Sequence, residues 1–276
     1  MVEKLVVKSN QVIEASYKLT LSEQRLILMC VEQIKKGQTV SVSDRFEISA
    51  SDFADRFGIS ADRAYSELQS VSDKLYERSV TVHNPDPEDP RIATTRTRWI
   101  SSIDYMPGEG CLAITFAVRM IPYIAMLEPG FTRYSLQYVA NMVSVYGIRF
   151  YEFFKCWLFG NTRNTKKISL DELKDKLELT GKYPSIKDFK LKVLDKAMED
   201  INGCSDLGAK YKTLKTGRKI THIEFEFWLK EDKKPEPKKK KTGPVKIDNA
   251  YIEKHAKPGE SWDAAAKRLR AELKGK

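Results

Sequence analysis

The sequence predicts an α+β chain in which one small unit is used twice, and three observations predict it. Residues 48–60 (I-S-A-S-D-F-A-D-R-F-G-I-S) recur without a gap as residues 168–180 (I-S-L-D-E-L-K-D-K-L-E-L-T). Each copy describes a short capped helix and a turn, and a longer helical stretch comes after each, which is how a helix-turn-helix reads. The second observation is that β-type segments with a turn signal follow both helix pairs. The third is size: 276 residues, 41% of them hydrophobic, suffice for two domains with cores of their own.

The elements can be justified in order. Residues 4–16 read as an N-terminal arm. Thr20-Leu21-Ser22-Glu23 is a capping box, where hydroxyl and carboxylate each satisfy a free backbone N–H. The helix it opens carries Leu26, Ile27, Cys30, Val31 and Ile34 on one side and ends near Gly37. Residues 40–48 read as extended. Ser49 caps a helix with Phe53 and Phe57 inward, and Gly58 breaks it. Residues 61–78 form the longer helix, with Ala64, Leu68, Val71 and Leu75 at i, i+4, i+7 and i+11. Residues 79–83, 94–105 and 111–118 are β-type. A proline-rich loop from Asn84 to Pro90 separates the first two, and M-P-G-E-G at 106–110 turns a hairpin between the others. Helix, strand, helix, helix, strands is the order of a winged helix.

Residues 120–127 read as helical and stop at Pro129-Gly130; residues 131–141 read as a connector. An apolar helix over 144–159 carries Tyr146, Phe150, Phe153, Phe154 and Trp157. Residues 167–169 are extended, and Ser169-Leu170-Asp171-Glu172 is another capping box, with Leu170, Leu173 and Leu177 inward. Gly181-Lys182-Tyr183-Pro184 is the turn, and residues 185–202 form the long helix, ended by Gly203. Residues 211–214 and 219–229 make a hairpin around 215–218, with Ile223, Phe225 and Phe227 alternating with Glu224 and Glu226. The winged-helix order has occurred again. The expected organisation is thus a first winged helix over 1–130, a second over 131–230 and a tail over 231–276. Lys233-Lys234-Pro235-Glu236-Pro237-Lys238-Lys239-Lys240-Lys241 suits a flexible basic linker, and residues 261–274 a last short helix striped by Trp262, Ala266, Leu269 and Leu273.

The charge of +10 points to a polyanionic partner. Residues 231–276 hold 14 Lys/Arg against 8 Asp/Glu, a net of +6, which leaves +4 for the first 230 residues. Residues 181–220 hold 10 against 5, a net of +5, so the folded part is basic mainly around the second helix-turn-helix. In such a motif the second helix enters the major groove with its N-terminal part nearest the bases. Here that part carries Lys187, Lys190, Lys192 and Lys196, with Asp195, Glu199 and Asp200 behind. Lysine can bond guanine O6 and N7 or neutralise a phosphate. Lys190 falls near the apolar arc of Ile186, Phe189, Val193 and Ala197, as expected if the helix tip projects past the core. Lys210, Lys212, Lys215, Arg218 and Lys219 make a basic wing, and Arg163, Lys166 and Lys167 could touch DNA backbone. In the first domain Arg63 and Lys74 are diluted by Asp62, Glu67 and Asp73, which suits weaker phosphate contacts, and its strand edges could pair with a second copy.

Other classes fare badly. There is no G-x-x-x-x-G-K-[ST] for ATP, and His83, His222 and His255 lack both metal-ligand spacing and the adjacent pair a nicking enzyme would use. Glu231-Asp232 reads as solvated. Cys30, Cys111, Cys156 and Cys204 are scattered without a C-x-x-C, so buried thiols in a reducing cytoplasm are expected, and no metal or cofactor. No stretch approaches the ~20 apolar residues of a membrane span, and the N-terminus does not read as a signal peptide.

Several stretches resemble the iteron-binding plasmid replication initiators, the theta-type family: L-T-L-S-E-Q-R-L at 19–26, Y-G-I-R-F-Y-E-F at 146–153, D-F-K-L-K at 188–192, E-D-I-N at 199–202 and T-H-I-E-F at 221–225. The resemblance covers about residues 5–229. It implies that the second winged helix reads direct repeats at a plasmid origin while the first contacts backbone and holds a dimer. It also implies that monomers initiate replication, that dimers bind an inverted repeat and repress the initiator's own promoter, and that host initiator protein and helicase are partners. The base-reading positions it implies are Ser185, Asp188, Lys190, Leu191 and Lys192. Where the family tends to have arginine, this chain has Leu191 and Lys192; leucine offers only apolar contact, for example to a thymine methyl, so the preferred repeat should differ. The remaining alternatives are a plain transcriptional repressor and a scaffold that docks proteins through its winged helices.

Overall fold

The structure, a computed structural model, describes residues 5–35, 37–85, 89–125 and 130–231, with Asp263, Ala264 and Lys267. The chain divides into two units, residues 1–238 and 239–276, and every element below lies in the first. The lysine run at 233–241, the stripe of Trp262, Ala266, Leu269 and Leu273, and residues 86–88 of the proline-rich loop lie outside the described residues.

The expected arm is built into the fold. It forms β1 (Val6–Ser9), α1 (Asn10–Glu14) and β2 (Ser16–Tyr17), with Val6, Val12, Ile13, Ala15 and Tyr17 buried. α2 (Leu21–Glu32) starts on a complete capping box, since Thr20 accepts from the Glu23 N–H and the Glu23 carboxylate accepts from the Thr20 N–H. Then come β3 (Phe46–Ser49), α3 (Ala50–Phe57), α4 (Ala61–Tyr76), β4 (Ser79–His83), β5 (Thr94–Arg98), β6 (Ile100–Met106) and β7 (Cys111–Phe116). The sheets are β3-β7-β6 and β2-β4-β5. The single extended segment expected over 94–105 divides at Trp99. The Trp99 side chain is fully buried, while its backbone N–H donates to the Arg78 carbonyl and its backbone carbonyl accepts from the Ala117 N–H, so the chain steps from one sheet to the other. After α5 (Ile121–Ala125), the expected connector is β8 (Phe131–Tyr134), which pairs with β1, and α6 (Gln137–Ala140).

The second half repeats the plan with α7 (Val145–Leu158), β9 (Arg163–Ser169), α8 (Leu170–Lys176), α9 (Ile186–Phe189), α10 (Asp195–Cys204), β10 (Leu207–Thr216) and β11 (Lys219–Leu229). Its sheet order β10-β11-β9 reproduces β6-β7-β3. The sequence repeat is a repeat of backbone geometry. Ser49 and Ser169 accept from the Asp52 and Glu172 N–H groups, and Gly58 (φ +68°) and Glu178 (φ +50°) are both left-handed. The Ile59 N–H then reaches back to Ala54 (2.9 Å), and the Leu179 N–H to Lys174 (2.7 Å), the 6→1 closure of a helix end. Glycine takes φ > 0 freely, whereas glutamate is strained there, so the second copy holds its turn against a local preference. At Ser169 only half of the expected capping box forms, because the Glu172 carboxylate lies 3.8 Å from Lys176 instead.

α7 is the hub. Phe150, Phe154 and Trp157 are buried against Phe225 and Phe227 of β11, with the Phe154 and Phe227 rings stacked at 4.7 Å, and buried Phe153 stacks on Trp157 at 5.2 Å. Its Arg149 and Glu152 are buried too. Glu152 accepts from Lys8 (2.8 Å), Tyr17 (3.5 Å) and Tyr134 (2.5 Å). Arg149 donates to the carbonyls of Ile13, Ala15 and Lys176 and lies 3.6 Å from the Tyr17 ring centroid. Asp200 of α10 accepts from the N–H groups of Val143 and Ser144 at the start of α7. These contacts tie the N-terminal segment, β8, α7 and the second helix-turn-helix together.

Candidate nucleic-acid interface

α9 and α10 run on as one helix through a wide, π-type turn at Lys190–Leu194. Its cause is legible in the spacing of buried residues. Leu194, Ala197 and Ile201 are buried at helical intervals, and a regular helix would bring Lys190 next onto that line. The apolar residue is Phe189 instead, and the wide turn absorbs one residue so that Phe189 reaches the core. The irregular helical wheel thus comes from this turn rather than from a tip projecting past the core. Leu191 and Lys192 form its outer side, Leu191 being 55% exposed, and Lys190 beside them is half-buried.

Two tyrosines flank this segment. Lys190 Nζ lies 5.9 Å from the Tyr211 ring on β10, and Lys192 Nζ lies 6.0 Å from the Tyr183 ring ahead of α9. Tyr211 donates to Asp195, and burial, then this carboxylate, raises its phenol pKa. The turn is fixed by Lys174, which donates to the Lys182 and Tyr183 carbonyls and sits 5.5 Å from the Phe189 ring. Tyr183, Tyr211 and Lys174 are not among the residues expected from sequence. The one local signal was the G-K-Y-P turn, and pairing across the fold carries no signature in the chain. Lys182 also lies beside Lys18 and lowers that ammonium's pKa, which concentrates positive charge near the turn.

The expected DNA-contacting residues divide into groups. Ser185 is the exposed N-cap of α9 with no side-chain cap bond, Lys187 is exposed and Asp188 half-buried. Lys215, Arg218 and Lys219 are exposed around the hairpin tip, where Gly217 (φ +61°) makes the turn. Among the described residues, no ion pair involves Lys187, Lys190, Lys192, Lys215, Arg218 or Lys219. Further down the wing the charges are offset: Lys210 pairs with Glu226 (2.9 Å) and Lys212 with Glu224 (2.5 Å). Arg163 also pairs with Glu226, and Arg163 and Lys210 hold that carboxyl below the usual range. Lys196 lies 3.6 Å from Glu199. Lys167 stands opposite Glu224 on the outer sheet face, whereas Lys166 stands opposite Phe225 and lies 5.5 Å from the Trp157 ring, so the two face different sides. Arg63 and Lys74 are exposed in the first and last turns of α4, about 16 Å apart along its axis at ~1.5 Å per residue.

The geometry is that of a basic helix beside a basic hairpin tip. Among the described residues no helix is long and apolar enough to cross a membrane, and no group of His, Cys, Asp and Glu could hold a metal ion. Residues 5–155 match the family described as Initiator Replication protein, WH1, and residues 169–227 that described as Initiator Rep protein, WH2. A replication initiation protein of Escherichia coli is 28% identical over 239 residues, covering 83% of this chain and 71% of the relative. The PI protein of Escherichia coli is 27% identical over 246 residues, covering 78% of this chain and 79% of the relative. The crystal structure of Pi initiator protein in complex with iteron DNA aligns with a TM-score of 0.69 at 25% identity, over 83% of this chain and 99% of that one. With the first match alone spanning more than half of its length, the chain belongs to the iteron-binding plasmid replication initiators, two winged helices in tandem.

Proposed function

We propose that this protein initiates plasmid replication by binding the repeats of an origin as a monomer, and that as a dimer it represses its own promoter at an inverted repeat. The observation that carries the reading is the second domain's pairing of Lys187, Lys190 and Lys192 on one helix with Lys215, Arg218 and Lys219 at the adjoining hairpin tip, all without acidic partners among the described residues. The helix would enter the major groove and the tip would straddle phosphates. That the similar Pi initiator protein is solved in complex with iteron DNA supports the reading that this chain binds such repeats.

In this reading, residues 131–230 carry sequence recognition. Residues 1–130 supply backbone contacts through Arg63 and Lys74, and the dimer contact through an edge strand such as β5 or β6. The protein would act in the bacterial cytoplasm without catalysing a reaction. Binding energy from adjacent copies would strain a neighbouring AT-rich segment, a deformation of a few kcal/mol offset by added contacts, and host initiator protein and helicase would follow. Footprinting on the origin tests this. Protection of direct repeats is expected; equal occupancy of origin and unrelated duplex at physiological salt would overturn it. Protection of an inverted repeat alone would make the protein a plain repressor.

A further inference from the structure

We infer that Leu191 reads the 5-methyl group of a thymine, and that the preferred repeat therefore carries an obligatory T·A pair at the position facing the wide turn. The inference deepens the initiator reading and rests on it. Leu191 is one of the most exposed large apolar side chains of the second domain, and it sits in the midst of that domain's cations. The wide turn leaves Leu191 and Lys192 exposed on its outer side and Lys190 half-buried beside them, where a regular helix would turn Lys190 toward the core. The two lysines are drawn apart, Lys190 toward the Tyr211 ring on the wing and Lys192 toward the Tyr183 ring ahead of the helix. Leu191 lies between them, with no hydrogen-bonding atom to offer.

An exposed leucine among lysines contributes nothing to solubility or to phosphate attraction. In the major groove it has one good partner, because thymine alone among the four bases presents a methyl group there. The other base edges present N7 acceptors or an amino donor, and a leucine pressed against them would desolvate a polar atom without replacing its hydrogen bond. Leu191 thus selects for thymine by attraction and against the other bases by leaving their polar edges unpaired. Lys190 and Lys192 remain free for flanking guanine edges or phosphates.

The test is a uracil scan. Duplexes carrying the origin repeat are made with each thymine in turn replaced by uracil, which removes the methyl and nothing else, and are titrated with the full chain and with Leu191→Ala. Loss of one contacted methyl should weaken binding by about fourfold, the equivalent of one buried carbon, at one position per repeat. Leu191→Ala should bind the thymine and uracil duplexes equally at that position while keeping the wild-type melting temperature. Replacing the T·A pair by C·G should cost more, and 5-methylcytosine there should recover part of the loss. A flat scan, or an unchanged uracil effect in Leu191→Ala, overturns the inference and leaves the initiator reading standing. If the wild-type protein prefers no repeat at all, both fall.

Discussion

Cations in the second domain differ in what holds them, and under the proposed function that difference should separate base reading from phosphate attraction. Lys192 sits on the outer side of the wide turn beside a tyrosine ring, whereas Arg218 stands at the hairpin tip next to Gly217 with no partner holding its guanidinium among the described residues. We expect Lys192→Ala to cost about 1–3 kcal/mol on the preferred repeat and to relax discrimination at one base position. Arg218→Ala should instead weaken binding on every duplex and lower the slope of log affinity against log salt by about one. Anisotropy titrations on the repeat and on a scrambled duplex, each at several salt concentrations, distinguish the two. A uniform loss from Lys192→Ala would show that it touches only phosphate.

At the scale of elements, α7 and α10 meet at a point where only glycine fits. A Cβ on Gly147 would lie 2.6 Å from Asp200 Oδ2, the carboxylate oxygen that accepts from Val143 and Ser144. Glycine to alanine inside a helix ordinarily stabilises by roughly 1 kcal/mol. Here overpacking reverses the sign, and Gly147→Ala should destabilise by about 1–3 kcal/mol, read as a lower urea midpoint; an unchanged or higher midpoint would show that the contact yields freely. The same residues explain what could be read from the chain. Capped helices, the repeated turn and the alternation of β11 were legible because local chemistry dictates them. The motifs at 146–153 and 199–202 were legible as a likeness, yet their work is structural: Gly147, Arg149 and Glu152 lock α7, and Asn202 bonds the backbone of Ala209 on β10. The N-terminal strand was hidden because β1 pairs with β8 more than 120 residues away, and such pairing has no local sign. In the candidate interface the cationic residues were visible, but not which of them Glu224, Glu226 and Glu199 neutralise.

The whole first unit depends on ionisable groups that give up their protons late. Lys8 is buried, which alone would lower its pKa, but Glu152 at 2.8 Å and Tyr17 together outweigh burial and hold the ammonium above its usual range. Burial, then Glu152, raises the Tyr134 phenol well above 10, and burial, then Asp206, does the same for Tyr151. Burial, then Glu14, pushes the Cys156 thiol up to about 12, and burial raises Cys30 as well. Each group has a folded pKa above its unfolded one, so its stabilising contribution is complete below the unfolded value. That contribution is lost as the unfolded chain begins to release protons that the folded chain retains. Stability should therefore hold through neutral pH and decline from about pH 9 upward, first through the thiols and then through the phenols and Lys8. Tyr134→Phe isolates one share of this decline. It removes the hydroxyl that donates to Glu152 and so should cost about 1–3 kcal/mol near pH 7, but it also removes one late-titrating proton. The gap between variant and wild type should then narrow as pH climbs past about 10, the ordinary phenol range. Urea titrations at pH 7, 9, 10 and 11 measure that gap directly. A gap that stays constant or widens would mean that the Tyr134–Glu152 contact opens before the chain unfolds, and that β8 and α7 separate as a local event.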